Sequence, residues 1–341
     1  MDSGGPNRQN FGQERMDHIN NPSLLSQVFF SYALQKQAAI LNENRRFVHY
    51  TSAEAAVSII KNAEVWMRKS TTMNDFSETA HGLRCLQGMY TGPAGKRFKS
   101  LLERLFSGSV EVLEKNFEAW LPHFRLNTYL TCISEHENEE DSYGRLSMWR
   151  AYGGVAIVLN NYPFLAESHS LGAYTSPVAY LDPQRFADKF EEINDLLEQH
   201  EYDIQSQTKD VVLNNVFEMM RFAVLCTKHP GFQEEREWRI VYSPVKSVAE
   251  RITKSIEIVR GIPQPVCKIP LKNIPEEGFI GAEISQLVNR LIIGPNQYPG
   301  VMQEAFVELL TNAGVPHDDA WRMVCISESP SEKFMNSDKA F

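Results

Sequence analysis

The sequence lacks the short motifs that mark several large enzyme classes. No GxxxxGK[ST] or GxGxxG phosphate loop follows a predicted strand, and HExxH, GxSxG and zinc-spaced Cys/His clusters are absent. P-loop, Rossmann, metalloenzyme and α/β-hydrolase functions are therefore excluded.

Cysteine is scarce and unclustered. The five cysteines, an odd number, stand at positions 85, 132, 226, 267 and 325 without a CxxC pair. This spacing argues against a disulfide scaffold and favours free thiols in a reducing compartment. No apolar run approaches the roughly 18 residues of a membrane span, and the first residues lack the apolar segment of a signal peptide. We therefore expect a cytoplasmic protein that has no membrane partner.

Basic residues are fewer than acidic ones, with 34 Lys and Arg against 43 Asp and Glu. The chain of 341 residues has a net charge of -9 and a pI of about 5.6. An acidic chain repels phosphate backbones, which disfavours non-specific nucleic-acid binding as its main task and leaves room only for a local basic groove. A hydrophobic fraction of 43% is enough for a sizeable core.

The distribution of apolar residues predicts one folded domain between two tails. Residues 1–20 and 329–341 are polar, and we expect the first of these tails to be disordered and dispensable for folding. Residues 44–328 predict a single α+β domain with helical insertions near 92–125 and 183–226. Strands are predicted at 47–50, 64–69, 127–134, 155–159, 236–242, 256–259, 291–293 and 323–326. Because they do not alternate regularly with helices, mixed sheets are favoured over a doubly wound parallel sheet.

A long helix is predicted at residues 22–43, within the segment 21–43, with Pro22 in its first turn. Its apolar face requires a surface to pack on. That surface is either the protein's own core, a regulatory partner or a second copy of the chain.

Two strand ends carry polar residues that suit a ligand site. His49 and Thr51 share one face of the first strand and Tyr50 takes the other. Thr131 and Ser134 stand at the end of the third predicted strand. The alternative is a satisfied histidine near a sheet edge and an ordinary strand terminus. A capping box with Thr51 and Glu54 is expected to open the next helix.

Glu235 and Glu237 are the strongest catalytic candidates. On a strand covering 236–242 the two carboxylates point the same way, and we expect each to raise the pKa of the other. They form either a solvated strand edge or a carboxylate pair in a cleft. Trp149 and Tyr152, before Gly153-Gly154, are core aromatics or a platform for a cofactor ring. The acidic segment 135–141 lacks EF-hand spacing, so a solvated loop is favoured over a cation site.

The ordered set of these motifs resembles a large, mostly bacterial family catalogued as a domain of unknown function. The resemblance covers about residues 47–327 and rests on Tyr50-x-Ser52, Trp66, Asn74-Asp75-x-x-Glu78, Cys132-x-Ser134, Met148-Trp149-x-x-Tyr152, Glu235-x-Glu237-x-Arg239 and Ile293-Gly294. Phe76 stands where the family has proline, and Ile133 where it has phenylalanine.

The pattern is similar, in turn, to the ADP-ribosyltransferase superfamily. His49-Tyr50 resembles the start of its diphtheria-toxin-like and poly(ADP-ribose)-polymerase-like branch, and Glu235-x-Glu237 resembles its arginine-modifying and toxin branch. The resemblance implies an ADP-ribosyltransferase-like core, NAD as substrate, and no metal. It also implies a toxin or antiphage effector that modifies an unidentified protein or nucleic acid.

The resemblance further implies a role for each candidate residue. Glu237 stabilises the charge that develops on the nicotinamide-side ribose, and Glu235 orients the acceptor. His49 holds the adenosine-side ribose, and Thr51 is a further cofactor-binding residue. Ser134 or Thr131 supports the nicotinamide side, and a ring stacks on nicotinamide, its candidates being Tyr50, Trp149 and Tyr152. We therefore expect His49, Ser134 and Glu237 to line one cleft.

Two other functions remain open at this point. NAD hydrolysis uses the same site with water as the acceptor. A non-catalytic module instead senses a nucleotide, or binds a partner through the helix at 22–43.

Overall fold

The computed structural model describes residues 17–72, 77–166, 170–246 and 249–328. The Asn74-Asp75 pair of the resemblance, residues 1–16 and residues 329–341 lie outside this part of the chain.

Ten strands form one mixed sheet, and two short strands pair separately. The strands are β1 (Arg46–Thr51), β2 (Glu64–Lys69), β3 (Tyr129–His136), β4 (Val155–Leu159), β5 (Ala173–Pro177), β6 (Ala179–Tyr180), β7 (Thr227–Lys228), β8 (Glu237–Tyr242), β9 (Thr253–Val259), β10 (Ile262–Pro270), β11 (Val288–Ile293) and β12 (Val324–Ile326). The sheet runs β12-β11-β4-β1-β3-β2-β10-β9, and β8 pairs with both β3 and β5. Only β11 and β12 pair in parallel within it, among the residues that the structure describes.

The helices vary from single turns to five turns. They are α1 (Asp17–Asn20), α2 (Leu24–Phe29), α3 (Ser31–Asn42), α4 (Ala53–Asn62), α5 (Ser77–Thr91), α6 (Pro93–Leu105), α7 (Ser109–Leu126), α8 (Leu146–Tyr152), α9 (Tyr162–Leu165), α10 (Pro183–Gln199), α11 (Glu201–Gln205), α12 (Lys209–Leu225), α13 (Ile284–Leu287), α14 (Pro299–Asn312) and α15 (His317–Met323). Short 3₁₀ helices cover Ser70–Thr72, Asn138–Asp141, Pro230–Glu235 and Pro275–Glu277.

The sheet forks at β3. One edge of β3 pairs with β8 along its length, but the other edge is shared, since β1 pairs near Ser134 and β2 pairs at Leu130 and Tyr129. In the gap between β1 and β2 the ring of His49 replaces a backbone partner. Its Nδ1 lies 2.8 Å from the carbonyl oxygen of Cys132.

Each face of the sheet has its own apolar cover. On one face α2, α5, α6, α7, α10 and α12 form a helical cluster that reaches the sheet at Leu130 and Val241. A second cluster, around Trp149 on α8, packs on Val48 and Ala156 of the same face. On the opposite face α4 and α14 pack against strand residues such as Ile133. The two predicted helical insertions therefore supply most of one layer.

The prediction of one continuous helix at 22–43 is wrong, because the structure has two helices there. Ser23 caps α2 through a bond from the Ser26 N–H to its hydroxyl, and a break at Phe30 separates α2 from α3. The segment packs on the protein's own core, because Val28 and Ile40 are buried in two different clusters. The predicted tail is also too long. Ile19 on α1 is buried, so residues 17–20 belong to the folded domain.

Candidate functional site

The register of three strands decides which candidate residues meet. Val48 pairs with Ser134, and Ser134 pairs with Glu237, so these side chains share one face, here called the carboxylate face. His49 is displaced by one residue and lies on the other side, here called the histidine face, where it lines a cavity with Thr131. The prediction that His49, Ser134 and Glu237 line one cleft is therefore wrong.

The carboxylate face carries a compact ion cluster of Lys228, Glu235, Glu237 and Arg239. Arg239 Nε donates to Glu237 at 2.8 Å, and Lys228 Nζ donates to Glu237 at 3.1 Å and to Glu235 at 2.7 Å. The side chain of Glu237 is 7% exposed and that of Glu235 is 19% exposed. Glu235 is thus the more accessible of the two carboxylates.

Lys228 reaches the carboxylates because β7 lies beside β6, which pairs Tyr180 with Lys228. The Tyr180 hydroxyl accepts a hydrogen bond of 2.7 Å from the backbone N–H of Glu237. The strand begins only at Glu237, since Glu235 ends a 3₁₀ helix and Arg236 has a left-handed φ of 45°. The carboxylates therefore converge through Lys228 and not through strand periodicity.

The expectation that the two carboxylates raise each other's pKa is wrong for Glu237. Burial alone raises the pKa of this carboxyl, but the charges of Arg239 and Lys228 outweigh burial and lower its pKa to about 2. A hydrogen bond from the Cys132 thiol acts in the same direction. Glu237 is therefore a fixed anion at neutral pH and not a group that exchanges protons.

Two hydroxyls next to this cluster have no hydrogen-bond partner among the described residues, those of Ser134 and Tyr152. Burial, followed by the negative charge of Glu235, raises the pKa of Tyr152, so its hydroxyl stays protonated. Helix α8 ends directly after Tyr152. A Cβ at Gly153, which has a φ of 130°, would lie 2.6 Å from the carbonyl oxygen of Thr51, so only glycine fits this turn.

Tyr50 and Trp149 are core residues. Their rings pack edge to face with centroids 4.9 Å apart, and they are 6% and 8% exposed. The Tyr50 hydroxyl accepts a hydrogen bond from the backbone N–H of Arg145. Neither ring face is open to a nicotinamide ring, which leaves Tyr152 as the aromatic candidate at the cluster.

The acidic segment 135–141 is not the solvated loop that its composition indicated. Glu135 and Glu140 are buried, and Arg45 Nη1 lies 2.9 Å from a Glu135 oxygen. Arg46 pairs with Asp141 at 2.9 Å. Arginines from elsewhere in the chain therefore neutralise the segment. The described residues contain no group of three or more His, Cys, Asp or Glu side chains that is arranged to hold a metal ion.

The residues of the histidine face have a different setting. Burial lowers the pKa of His49, and because a carbonyl oxygen only accepts, Nδ1–H donates to Cys132 and Nε2 keeps its lone pair. Thr51 follows on the same face at the end of β1, where it pairs with Val155. The side chains of His49 and Thr131 lie on the face opposite the ion cluster.

The sequence left three members of the carboxylate face unassigned. The position of Arg239 could have been predicted from the sequence, because a basic residue two positions after Glu237 lies on the same face of a strand. No pattern in the sequence indicates that Lys228 and Tyr180 lie near Glu237, since their positions depend on the pairing of β6 with β7.

Comparison with known sequences bears on this same region of the chain. The family described as "Protein of unknown function (DUF2971)" matches residues 148–240. The match runs from Met148 on α8 to Ile240 on β8, and so includes Tyr152, Lys228 and both carboxylates. No curated protein and no solved structure matches the chain. No helix in the described ranges is long and apolar enough to cross a membrane.

Proposed function

We propose that the chain cleaves the nicotinamide–ribose bond of NAD at the carboxylate face and transfers ADP-ribose to a protein or nucleic acid. One observation carries this proposal: Glu237 is a buried carboxylate that is ionised at neutral pH and lies beside a second, more accessible one. Such a pair suits a reaction in which positive charge develops on a sugar.

Glu237 supplies electrostatic stabilisation in this reaction. As the glycosidic bond breaks, its electron pair leaves with nicotinamide and the ribose becomes oxocarbenium-like. A carboxylate that is already fixed and ionised lowers the barrier, because it needs no reorganisation when the charge appears. Its pKa of about 2 supports this role and argues against general acid catalysis.

Glu235 orients the acceptor and takes the proton that the acceptor loses on bonding to the ribose carbon. Its exposure of 19% supports this assignment, since an acceptor outside the protein has to reach it. The hydroxyls of Ser134 and Tyr152 bind the substrate. His49, Thr51 and Thr131 lie on the other face, so we assign them no part in this reaction.

A non-catalytic nucleotide-binding role is the second candidate, and one observation favours it. Both oxygens of Glu237 already accept hydrogen bonds from Arg239 and Lys228, so the carboxylate is saturated before any substrate binds. A purely structural ion cluster has the same appearance.

NAD labelled on its adenylate group separates these functions. Transfer is expected to place the label on a macromolecule in a cell extract, and Glu235→Gln is expected to remove that labelling. Free labelled ADP-ribose with no labelled macromolecule indicates hydrolysis. An unchanged pool of NAD, together with a melting temperature that rises with NAD concentration, indicates binding without chemistry.

A further inference from the structure

A cavity of about 300 Å³ lies on the histidine face. Its floor is the sheet around the fork of β3, and its other walls include α9 and the segment before β11. This volume is at the lower end of the roughly 300–1,000 Å³ typical of small-molecule sites.

The wall of the cavity is mainly apolar. Most of its described residues are aliphatic or aromatic, such as Ile157, Phe164 and Leu287, and none of them is Lys, Arg, Asp or Glu. A charged ligand would therefore lose its hydration without gaining an ionic partner. The pyrophosphate of NAD is excluded from this cavity for the same reason.

The floor of the cavity carries a short polar row. Thr131 and Thr175 flank Ile240 on three adjacent strands, and His49 lies beside Thr131 at the fork. The structure describes no hydrogen-bond partner for either threonine hydroxyl. Nε2 of His49 is likewise unpartnered there, because the ring bonds to Cys132 through Nδ1. His18, Gln37 and Tyr174 add polar atoms elsewhere in the lining. A mainly apolar wall with a few polar groups selects for a hydrophobic molecule that has a hydrogen-bonding group at one end.

We propose that this cavity binds a small, uncharged, mainly apolar molecule whose hydroxyl or N–H group donates to Nε2 of His49 beside Thr131. This site is independent of the carboxylate face, and its ligand is not the substrate of the proposed transfer reaction. NAD turnover and occupancy of the cavity can therefore fail separately.

The test is calorimetric titration of the full chain with 2-naphthol, naphthalene and 2-naphthoate. These probes share one ring system and differ in the hydroxyl and in the charge. We expect 2-naphthol to bind at one site, roughly fivefold more tightly than naphthalene, because one net hydrogen bond is added. The 2-naphthoate anion is expected to bind more than tenfold more weakly than 2-naphthol. Absence of saturable 2-naphthol binding, or tighter binding of the anion, overturns the proposal.

Two variants locate the binding site. Thr175→Phe fills the cavity and is expected to abolish binding of 2-naphthol. His49→Phe keeps a flat ring but removes the Nε2 acceptor, and is expected to remove the preference for 2-naphthol over naphthalene. Tyr202→Phe, at a residue that is 85% exposed, is the matched control and leaves binding unchanged. Undiminished binding by a folded Thr175→Phe variant places the ligand elsewhere and contradicts the proposal.

Discussion

Replacing Glu237 with glutamine tests how the ion cluster is held together. Glutamine preserves the size of the side chain but removes the charge that faces Arg239 at 2.8 Å and Lys228 at 3.1 Å. Lys228 keeps its bond to Glu235, whereas Arg239 keeps its bond to the carbonyl oxygen of Leu225 and loses the negative charge of Glu237. Removing one partner of a buried ion pair destabilises a protein by about 3–5 kcal/mol. For a chain of 341 residues we expect the melting temperature to fall by roughly 4–7 °C.

The assay is thermal unfolding of the wild type beside three variants. Glu235→Gln is the matched control, because Glu235 is partly exposed and Lys228 retains Glu237; its loss should stay within about 1 kcal/mol. The double variant Glu237→Gln/Arg239→Met removes the affected cation together with the anion and should recover part of the lost stability. A Glu237→Gln melting temperature within a degree of the wild type would refute this account of the cluster.

Three further predictions concern protonation and helix capping. Folding lowers the pKa of Glu237 from 4.5 to about 2, which contributes about 3 kcal/mol to the free energy of unfolding. This contribution is complete above about pH 4.5 and is lost as the pH falls toward 2. Urea titrations should therefore show a steeper loss of stability in acid for the wild type than for Glu237→Gln. Burial lowers the pKa of His49, so the folded state resists its protonation and the free energy of unfolding should fall as the pH drops below about 6.5. His49→Gln should weaken this pH dependence, and an unchanged pH dependence would contradict the prediction. Ser52→Ala should cost about 1 kcal/mol in urea unfolding, because Ser52 accepts the N–H of Ala55, whereas Thr51→Val leaves this cap intact.

Local patterns predicted several elements well. The strands Glu64–Lys69 and Val155–Leu159 have the predicted bounds, because alternation and a short apolar run are properties of neighbouring residues. The cap of α4 was misplaced by one residue, from Thr51 to Ser52. Both residues carry a hydroxyl, and only the backbone geometry distinguishes them.

Strand β10 escaped prediction because Pro263 and Pro265 argue against a strand. Both prolines precede Val266, where pairing with β2 begins, so their missing N–H groups remove no bond to that strand. The exposed hairpin partner, β9, was expected only at residues 256–259 and begins at Thr253.

The prediction of the candidate site failed because the sequence does not show the register in which the strands pair. Period-two alternation correctly separated His49 from Tyr50, but it does not state which residue of β3 lies opposite each of them. A shift of one residue places His49 on the face opposite Glu237. Such pairing depends on contacts between distant parts of the chain, and so does the arrival of Lys228 between the two carboxylates.

The rate of nicotinamide release from NAD tests the proposed function most directly. Measured below the melting temperature of each variant, release by Glu237→Gln should be roughly 100-fold to 1,000-fold slower than by the wild type, the scale of losing one preorganised electrostatic group. His49→Gln, on the opposite face, should release nicotinamide at the wild-type rate. No release by the wild type, or equal rates for the wild type and a folded Glu237→Gln variant, would contradict the proposal that the carboxylate face is an NAD-cleaving site.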